Sequence, residues 1–60
     1  MTIGEQIKNI RKEKGLTQKE LAHRVGLSWQ TISNVENNKY TSLSTLSKII
    51  DGLGVNIKIF

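Results

Sequence analysis

Apolar residues recur at helical spacing in two segments that lie near the ends of the chain. Ile3, Ile7 and Ile10 fall at i, i+4 and i+7, which is one face of a helix. A longer stripe of the same kind marks residues 43–53. Its apolar members are Leu43, Leu46, Ile49, Ile50 and Leu53. These stripes predict a first and a fourth helix, each burying one face in a common core.

The central segment, residues 17–38, reads TQKELAHRVGLSWQTISNVENN and predicts two short helices hinged at Gly26. The second of them, residues 28–36, has only Ile32 and Val35 as its apolar stripe. Its remaining face carries amides, hydroxyls and one indole, groups that suit contact with base edges in a DNA major groove. The arrangement predicts a helix-turn-helix whose second helix reads the DNA.

Capping residues support these boundaries. Thr2 with Glu5, and Thr17 with Glu20, have the spacing of capping boxes. The predicted caps of the other two helices are Ser28 and either Thr41 or Ser42. The predicted terminators are Gly15, Gly26, Asn37, Asn38 and Gly54. With short connections and no repeats, the sequence predicts an all-α fold, a compact bundle of four helices.

The last six residues, 55–60, change from helical spacing to strict alternation. Their apolar positions are Val55, Ile57, Ile59 and Phe60. A period of two predicts a β-strand, and no other segment of the chain resembles its partner. The same strand from a second copy would complete the sheet, which predicts a homodimer joined through these residues. The alternative is a frayed tail, or an extension packed on the fourth helix.

Composition narrows the class of protein. Sixty residues make one domain, which buries only about 60% of its unfolded surface. The absence of cysteine and of any long apolar run or signal-peptide pattern predicts a cytoplasmic protein. A formal charge of +4 favours a polyanionic partner. His23 stands alone, so we expect no metal, no cofactor and no enzymatic activity.

The chain resembles the Cro/C1-type (XRE) helix-turn-helix family of phage repressors and bacterial regulators. The likeness is carried by IRKEKGLTQKELAHRVGLSWQTISNVENNK and then by SLSTLSKIIDGLGV. It implies a lambda-repressor-like domain over residues 1–54, followed by a dimerisation strand over residues 55–60. The segments TISNVENN and TSLSTLSKIIDGLGVNIKIF look more particularly like HipB-type antitoxins. In these the paired strand forms a dimer that binds its operator and holds a kinase-like toxin.

Four residues of the third predicted helix are candidates for base readout. Gln30 comes first, because its amide pairs bidentately with adenine N6 and N7, worth about 1–3 kcal/mol of discrimination. Ser33 and Asn34 lie one turn further on. Trp29 leaves two alternatives open: contact with DNA, through a thymine methyl or a phosphate, or packing back against the second helix.

A further set is predicted to contact phosphates and so to position the domain on DNA. Gln18 lies at the N-terminus of the second helix, where free N–H groups and the helix dipole attract an anion, and the resemblance gives it this role. The other predicted phosphate contacts are Ser28, Thr31, Asn37, Lys39 and Tyr40. For Ser28 the main task is capping, and the Thr31 methyl has packing beside the turn as its alternative.

Glu36 ends the third predicted helix, where the dipole disfavours an anion and a cation is required. Arg11 is the candidate, and the resemblance implies this pair as a strut for the recognition helix. The sequence as a whole predicts a DNA-binding transcriptional regulator, a repressor, that reads a palindromic operator as a homodimer. The rival interpretation is a protein-interaction module or antitoxin that neutralises a partner toxin, with DNA binding secondary.

Overall fold

A computed structural model describes residues 1–39 and 41–55, and these residues form an all-helical fold of four α-helices. The helices are α1 (Ile3–Glu13), α2 (Gln18–Val25), α3 (Trp29–Glu36) and α4 (Leu43–Leu53). No strand occurs within the described ranges. Of the predicted strand, only Val55 lies among the described residues, and there it packs against the core; residues 56–60 lie outside them.

The helix starts are those predicted from the capping residues. In the first capping box, Thr2 Oγ1 accepts from the Glu5 N–H at 3.2 Å, and Glu5 Oε1 accepts from the Thr2 N–H at 3.1 Å. The Thr17–Glu20 box repeats this with distances of 3.0 and 2.8 Å. Of the two predicted caps for α4 it is Ser42 that serves, since its hydroxyl accepts from Thr45.

The turn between α2 and α3 depends on a left-handed residue. Gly26 has φ of 72°, a conformation that costs glycine little and a residue with a Cβ more. At the other end of α3 the left-handed position is taken by Asn38, with φ of 61°. The next residue, Lys39, donates its N–H back to the Asn34 carbonyl at 2.9 Å, which closes the helix. Left-handed residues therefore end α2 at Gly26 and follow the end of α3 at Asn38.

The core lies where α2 packs against α3 and α4, with α1 across α3 and α4. Its buried side chains are Ile7, Leu21, Ala22, Ile32, Val35, Leu46, Ile49 and Leu53. The prediction of burial is wrong for one residue of the apolar stripe of α4. Leu43 is 59% exposed, because it is the first residue of the helix and does not reach the core cluster.

Two glycines allow helices to approach closely. A Cβ added to Gly52 of α4 would overlap the Val25 Cγ1 of α2. A Cβ added to Gly4 would overlap the Val35 carbonyl at the end of α3, and the Gly4 N–H donates to Asn38 Oδ1 at 3.2 Å. The start of α1 is thereby attached to the end of α3.

Candidate nucleic-acid interface

The two sides of α3 differ sharply in burial. Ile32 is fully buried and Val35 is 2% exposed, so this side is part of the core. Gln30 is exposed on the opposite side, while Ser33 and Asn34 are half-buried. At about 100° per residue, Gln30 and Asn34 lie on the same side of the helix, and Ser33 lies beside them. Gln30, Ser33 and Asn34, three of the four predicted readout residues, therefore form one polar surface facing away from the core.

Trp29 is the first residue of α3, and half of its surface, 50%, is exposed. Ile32, three residues later, shows no exposure. The core cluster is formed without the indole. Half of the indole is therefore buried and half is exposed, so packing against the domain and contact with DNA both stay predictions for Trp29, and its exposed apolar surface lies beside Gln30.

The N-terminus of α3 is held by two hydroxyl groups. Ser28 Oγ accepts from the Thr31 N–H at 3.2 Å, and the two side-chain oxygens lie 2.9 Å apart. Ser28 therefore caps the helix, as predicted from the sequence. Thr31 is half-buried at the turn.

A buried ion pair joins α3 to α1. Arg11 Nε donates to Glu36 Oε2 at 2.6 Å, and Arg11 Nη2 donates to Glu36 Oε1 at 3.0 Å. Only 8% of the Arg11 side chain and 2% of the Glu36 side chain is exposed. The guanidinium neutralises the Glu36 carboxylate at the C-terminal end of α3, where the helix dipole disfavours a negative charge. Two parallel bonds of this kind fix orientation as well as distance.

Two further groups complete this network. Arg11 Nη1 donates to the Leu16 carbonyl at 2.7 Å, and Gln18 Nε2 donates to Glu36 Oε1 at 3.1 Å. Among the described residues, every buried side-chain nitrogen and oxygen has a hydrogen-bond partner. The carboxylate of Glu36 thus links α1 and the first residue of α2 to α3, which sets the position of α3 on the domain.

Sequence reasoning missed two of these contacts. It placed Gln18 at a helix N-terminus but not against Glu36, and it treated Asn38 only as a terminator. Both contacts join residues far apart in sequence, 18 positions for Gln18–Glu36 and 34 for Gly4–Asn38. Helical periodicity carries no signal for such pairs. The one available hint was that a buried carboxylate needs more than one donor.

The segment after α3 offers exposed polar groups. Asn37 and Lys39 are exposed, and the Asn37 amide donates to Ser33 Oγ at 3.4 Å. Tyr40, also predicted to contact phosphate, lies outside the described residues. Asn37 and Lys39 follow the end of α3, whereas Gln18 is the first residue of α2.

Two carboxylates outside this network, Glu5 and Glu20, belong to the capping boxes. In each capping box the carboxylate accepts a backbone N–H bond, from Thr2 or from Thr17, and this lowers the pKa of Glu5 and of Glu20. His23 is exposed on α2. The described part of the chain contains no cluster of histidine and carboxylate side chains that would hold a metal ion. No helix among the described residues has the length and apolar character needed to span a membrane.

Comparisons with known proteins identify the fold and its relatives. The helix-turn-helix family matches residues 7–60. The chain is 43% identical to the immunity repressor protein of Bacillus phage phi105, over 95% of this chain and 40% of the repressor. It is 40% identical to antitoxin HipB of Escherichia coli, over 95% of this chain and 62% of the antitoxin. The chain therefore spans less than two thirds of the length of either relative.

A solved structure shows the same architecture on DNA. The biofilm regulator SinR in complex with DNA superposes with a TM-score of 0.82 at 37% identity, covering 92% of this chain and 90% of that one. The family match covers residues 7–60, which include the turn at Gly26 and the buried Arg11–Glu36 pair behind α3. Structure and sequence comparison thus lead to the same family. The chain belongs to the helix-turn-helix family, in its Cro/C1 (XRE) type.

Proposed function

We propose that this protein is a sequence-specific regulator of transcription that binds double-stranded DNA as a homodimer. The observation that carries the proposal is the polar surface of α3, with Gln30 exposed, held in place from behind by the buried Arg11–Glu36 pair. A helix whose outer side is hydrogen-bonding and whose inner side is rigidly attached is suited to enter a major groove. The repressor and DNA-bound regulator among its relatives support this function.

Base readout is assigned to α3. The Gln30 side-chain carbonyl can accept from the adenine N6 amino group while its NH₂ group donates to adenine N7. Ser33 and Asn34, half-buried one turn later, reach the following base pairs or the adjoining phosphates. The three side chains lie on one helix, so a single docking of α3 presents all of them to the groove.

Phosphate contacts position the domain without reading sequence. Gln18 uses one amide N–H for Glu36 and has a second, which we assign to a phosphate at the N-terminus of α2. Lys39 and Asn37 contact the backbone on the other side of the groove, and Tyr40 belongs to the same set. Ser28 and Thr31 add hydroxyl contacts at the start of α3.

The dimer is assigned to residues 55–60, with residues 1–54 as the DNA-binding domain. The alternation of Ile57 and Ile59 with polar neighbours supports pairing with the same segment of a second copy. A two-fold dimer places two recognition helices about 34 Å apart, one turn of DNA, so the operator is palindromic. The protein acts in the bacterial cytoplasm, encoded by a bacterium or a phage.

Selection from a library of random DNA duplexes at physiological salt tests this function. The expected result is enrichment of a palindrome whose half-site centres are separated by about 10 base pairs. Binding without any enriched sequence would contradict sequence-specific readout.

The dimerisation strand is tested by the pair of variants Ile57→Lys and Asn56→Lys. Both add one positive charge, but only Ile57→Lys places it on the apolar side of the predicted strand. Sedimentation at micromolar concentration is expected to show a monomer for Ile57→Lys and a dimer for Asn56→Lys. Equal behaviour of the two variants would rule out pairing through the apolar side.

A second candidate function is that of an antitoxin. The 40% identity to antitoxin HipB favours it. In this alternative the protein binds and neutralises a toxin, and DNA binding is secondary. Co-expression with the product of the neighbouring gene tests this alternative. The expected result is a stable complex on purification and normal growth of cells that the neighbouring gene product alone inhibits. Growth inhibition that persists in the presence of this chain would contradict it.

A further inference from the structure

We propose that Trp29 reads the 5-methyl group of a pyrimidine in the major groove, at the base pair beside the one that Gln30 contacts. The inference rests on the proposed function and names the chemistry of one position in the DNA site. Its ligand is the methyl group itself, which thymine and 5-methylcytosine share.

The position of Trp29 on α3 is the first argument. It is the first residue of the helix, directly after the Ser28 cap, and the N-terminal residues of a recognition helix contact base edges. At about 100° per residue, Trp29 and Gln30 occupy neighbouring sectors of the helix, so their side chains reach neighbouring base pairs. Ser33 lies one turn after Trp29 on the same side and is half-buried.

The burial of the indole is the second argument. Half of its surface, 50%, is exposed in the free protein, although the core behind α3 is closed by Ile32 and Val35 at 0% and 2% exposure. Within the helix-turn-helix unit, residues 18–36, it is the one large hydrophobic side chain among those described that is exposed. Burying this surface against DNA would remove apolar area from water, which favours the bound state.

The chemistry of the indole selects the target. It has one N–H donor and no acceptor, so it cannot make the bidentate contact that distinguishes guanine or adenine. The apolar feature that bases present in the major groove is the 5-methyl group of thymine, and cytosine lacks it. A contact of the indole N–H with a phosphate would leave most of the ring surface in water and would give no dependence on base methylation.

Replacing single thymines by uracil in the selected operator tests the inference, since uracil differs from thymine only by this methyl group. In the unmodified protein we expect one position per half-site at which uracil weakens binding about fourfold, the value for one buried methyl-sized group. In Trp29→Ala that loss disappears. In Gln30→Ala, the matched control on the adjacent residue, the loss at that position remains although overall specificity falls.

A second arm tests whether 5-methylcytosine can supply the methyl group in place of thymine. A cytosine placed at the same position weakens binding, and 5-methylcytosine recovers the methyl-dependent part of the loss. Trp29→Leu keeps an apolar side chain and is expected to retain part of the thymine preference. It is the control for the case in which Trp29→Ala loses the preference because it does not fold. Uracil without effect at every position, or an effect that persists in Trp29→Ala, would overturn the inference while leaving the proposed function intact. Failure to select any operator would overturn both.

Discussion

Removing Glu36 is expected to destabilise the domain severely, because it leaves a buried guanidinium without its anion. In the folded protein Arg11 is paired to Glu36 through bonds of 2.6 and 3.0 Å, and only 8% of its side chain reaches solvent. Breaking a buried pair by deleting one partner costs about 3–5 kcal/mol. At about 0.05–0.15 kcal/mol per residue, a domain of this size has only about 3–9 kcal/mol in total. Glu36→Ala is therefore expected to remove at least about a third of the stability, and all of it if the total lies at the lower end of this range.

The double variant Arg11→Met with Glu36→Met separates the charge effect from the effect of reduced packing. Replacing both members of a buried pair by apolar residues is often neutral or stabilising, since neither charge is then left without a partner. Here the Leu16 carbonyl and the Gln18 amide also lose a partner, and both residues are half-buried with access to water. We therefore expect the double variant to recover most, though not all, of the free energy of unfolding.

Urea titration followed by circular dichroism measures these free energies, with an unchanged slope as the check that the variants unfold in the same way. A loss below about 1 kcal/mol in Glu36→Ala would refute the reasoning, since that is the value of an exposed pair. A double variant as unstable as Glu36→Ala would also refute it, by showing that the charge left behind is not the cause.

Three further predictions concern packing, pH and exposure. Gly52→Ala should cost about 1–3 kcal/mol by overlap with Val25, and adding Val25→Ala should recover most of this cost; strictly additive effects in thermal unfolding would contradict the contact. The lowered pKa of Glu20 means that the stability it contributes is present above the ordinary carboxyl pKa and is lost as the pH falls through the lowered value. Glu20→Gln keeps the capping box without titrating, so its melting temperature should fall less steeply in acid than that of the unmodified protein; parallel curves would contradict this. Leu43→Ser, at a residue 59% exposed, should change stability by about 0.5 kcal/mol or less, and a larger loss in urea titration would place Leu43 in the core.

Local chemistry explains which parts of the fold were predictable. Capping boxes act within three residues, and left-handed turns within one, so Thr2, Thr17 and Gly26 marked their boundaries correctly from sequence. The wrong assignment of Leu43 has the opposite origin. Helical periodicity says which side of α4 a residue occupies but not how far along the helix the core extends. Leu43, the first residue of α4, lies beyond that limit, whereas Leu46 is in the core.

In the candidate site, too, local features were predictable from sequence and contacts between helices were not. The polar surface around Gln30 was readable because amphipathicity is a local pattern. The pairing of Arg11 with Glu36 came from the resemblance to a family and from the need of a helix-terminal carboxylate for a cation. The contacts of Gln18 with Glu36, and of Gly4 with Asn38, depend on how separate helices pack, which no single-segment pattern encodes.

The measurement that tests the central claim most directly is the ratio of affinities for the selected operator and a scrambled duplex, in Gln30→Ala and in Lys39→Ala. If α3 reads bases through Gln30, that variant loses about 1–3 kcal/mol of discrimination, and its dependence on salt is unchanged. Lys39→Ala should weaken binding to both duplexes equally, and the slope of log affinity against log salt should fall by about 0.9 for each phosphate that the variant no longer neutralises. An unchanged operator preference in Gln30→Ala would contradict the assignment of α3 as the reading helix.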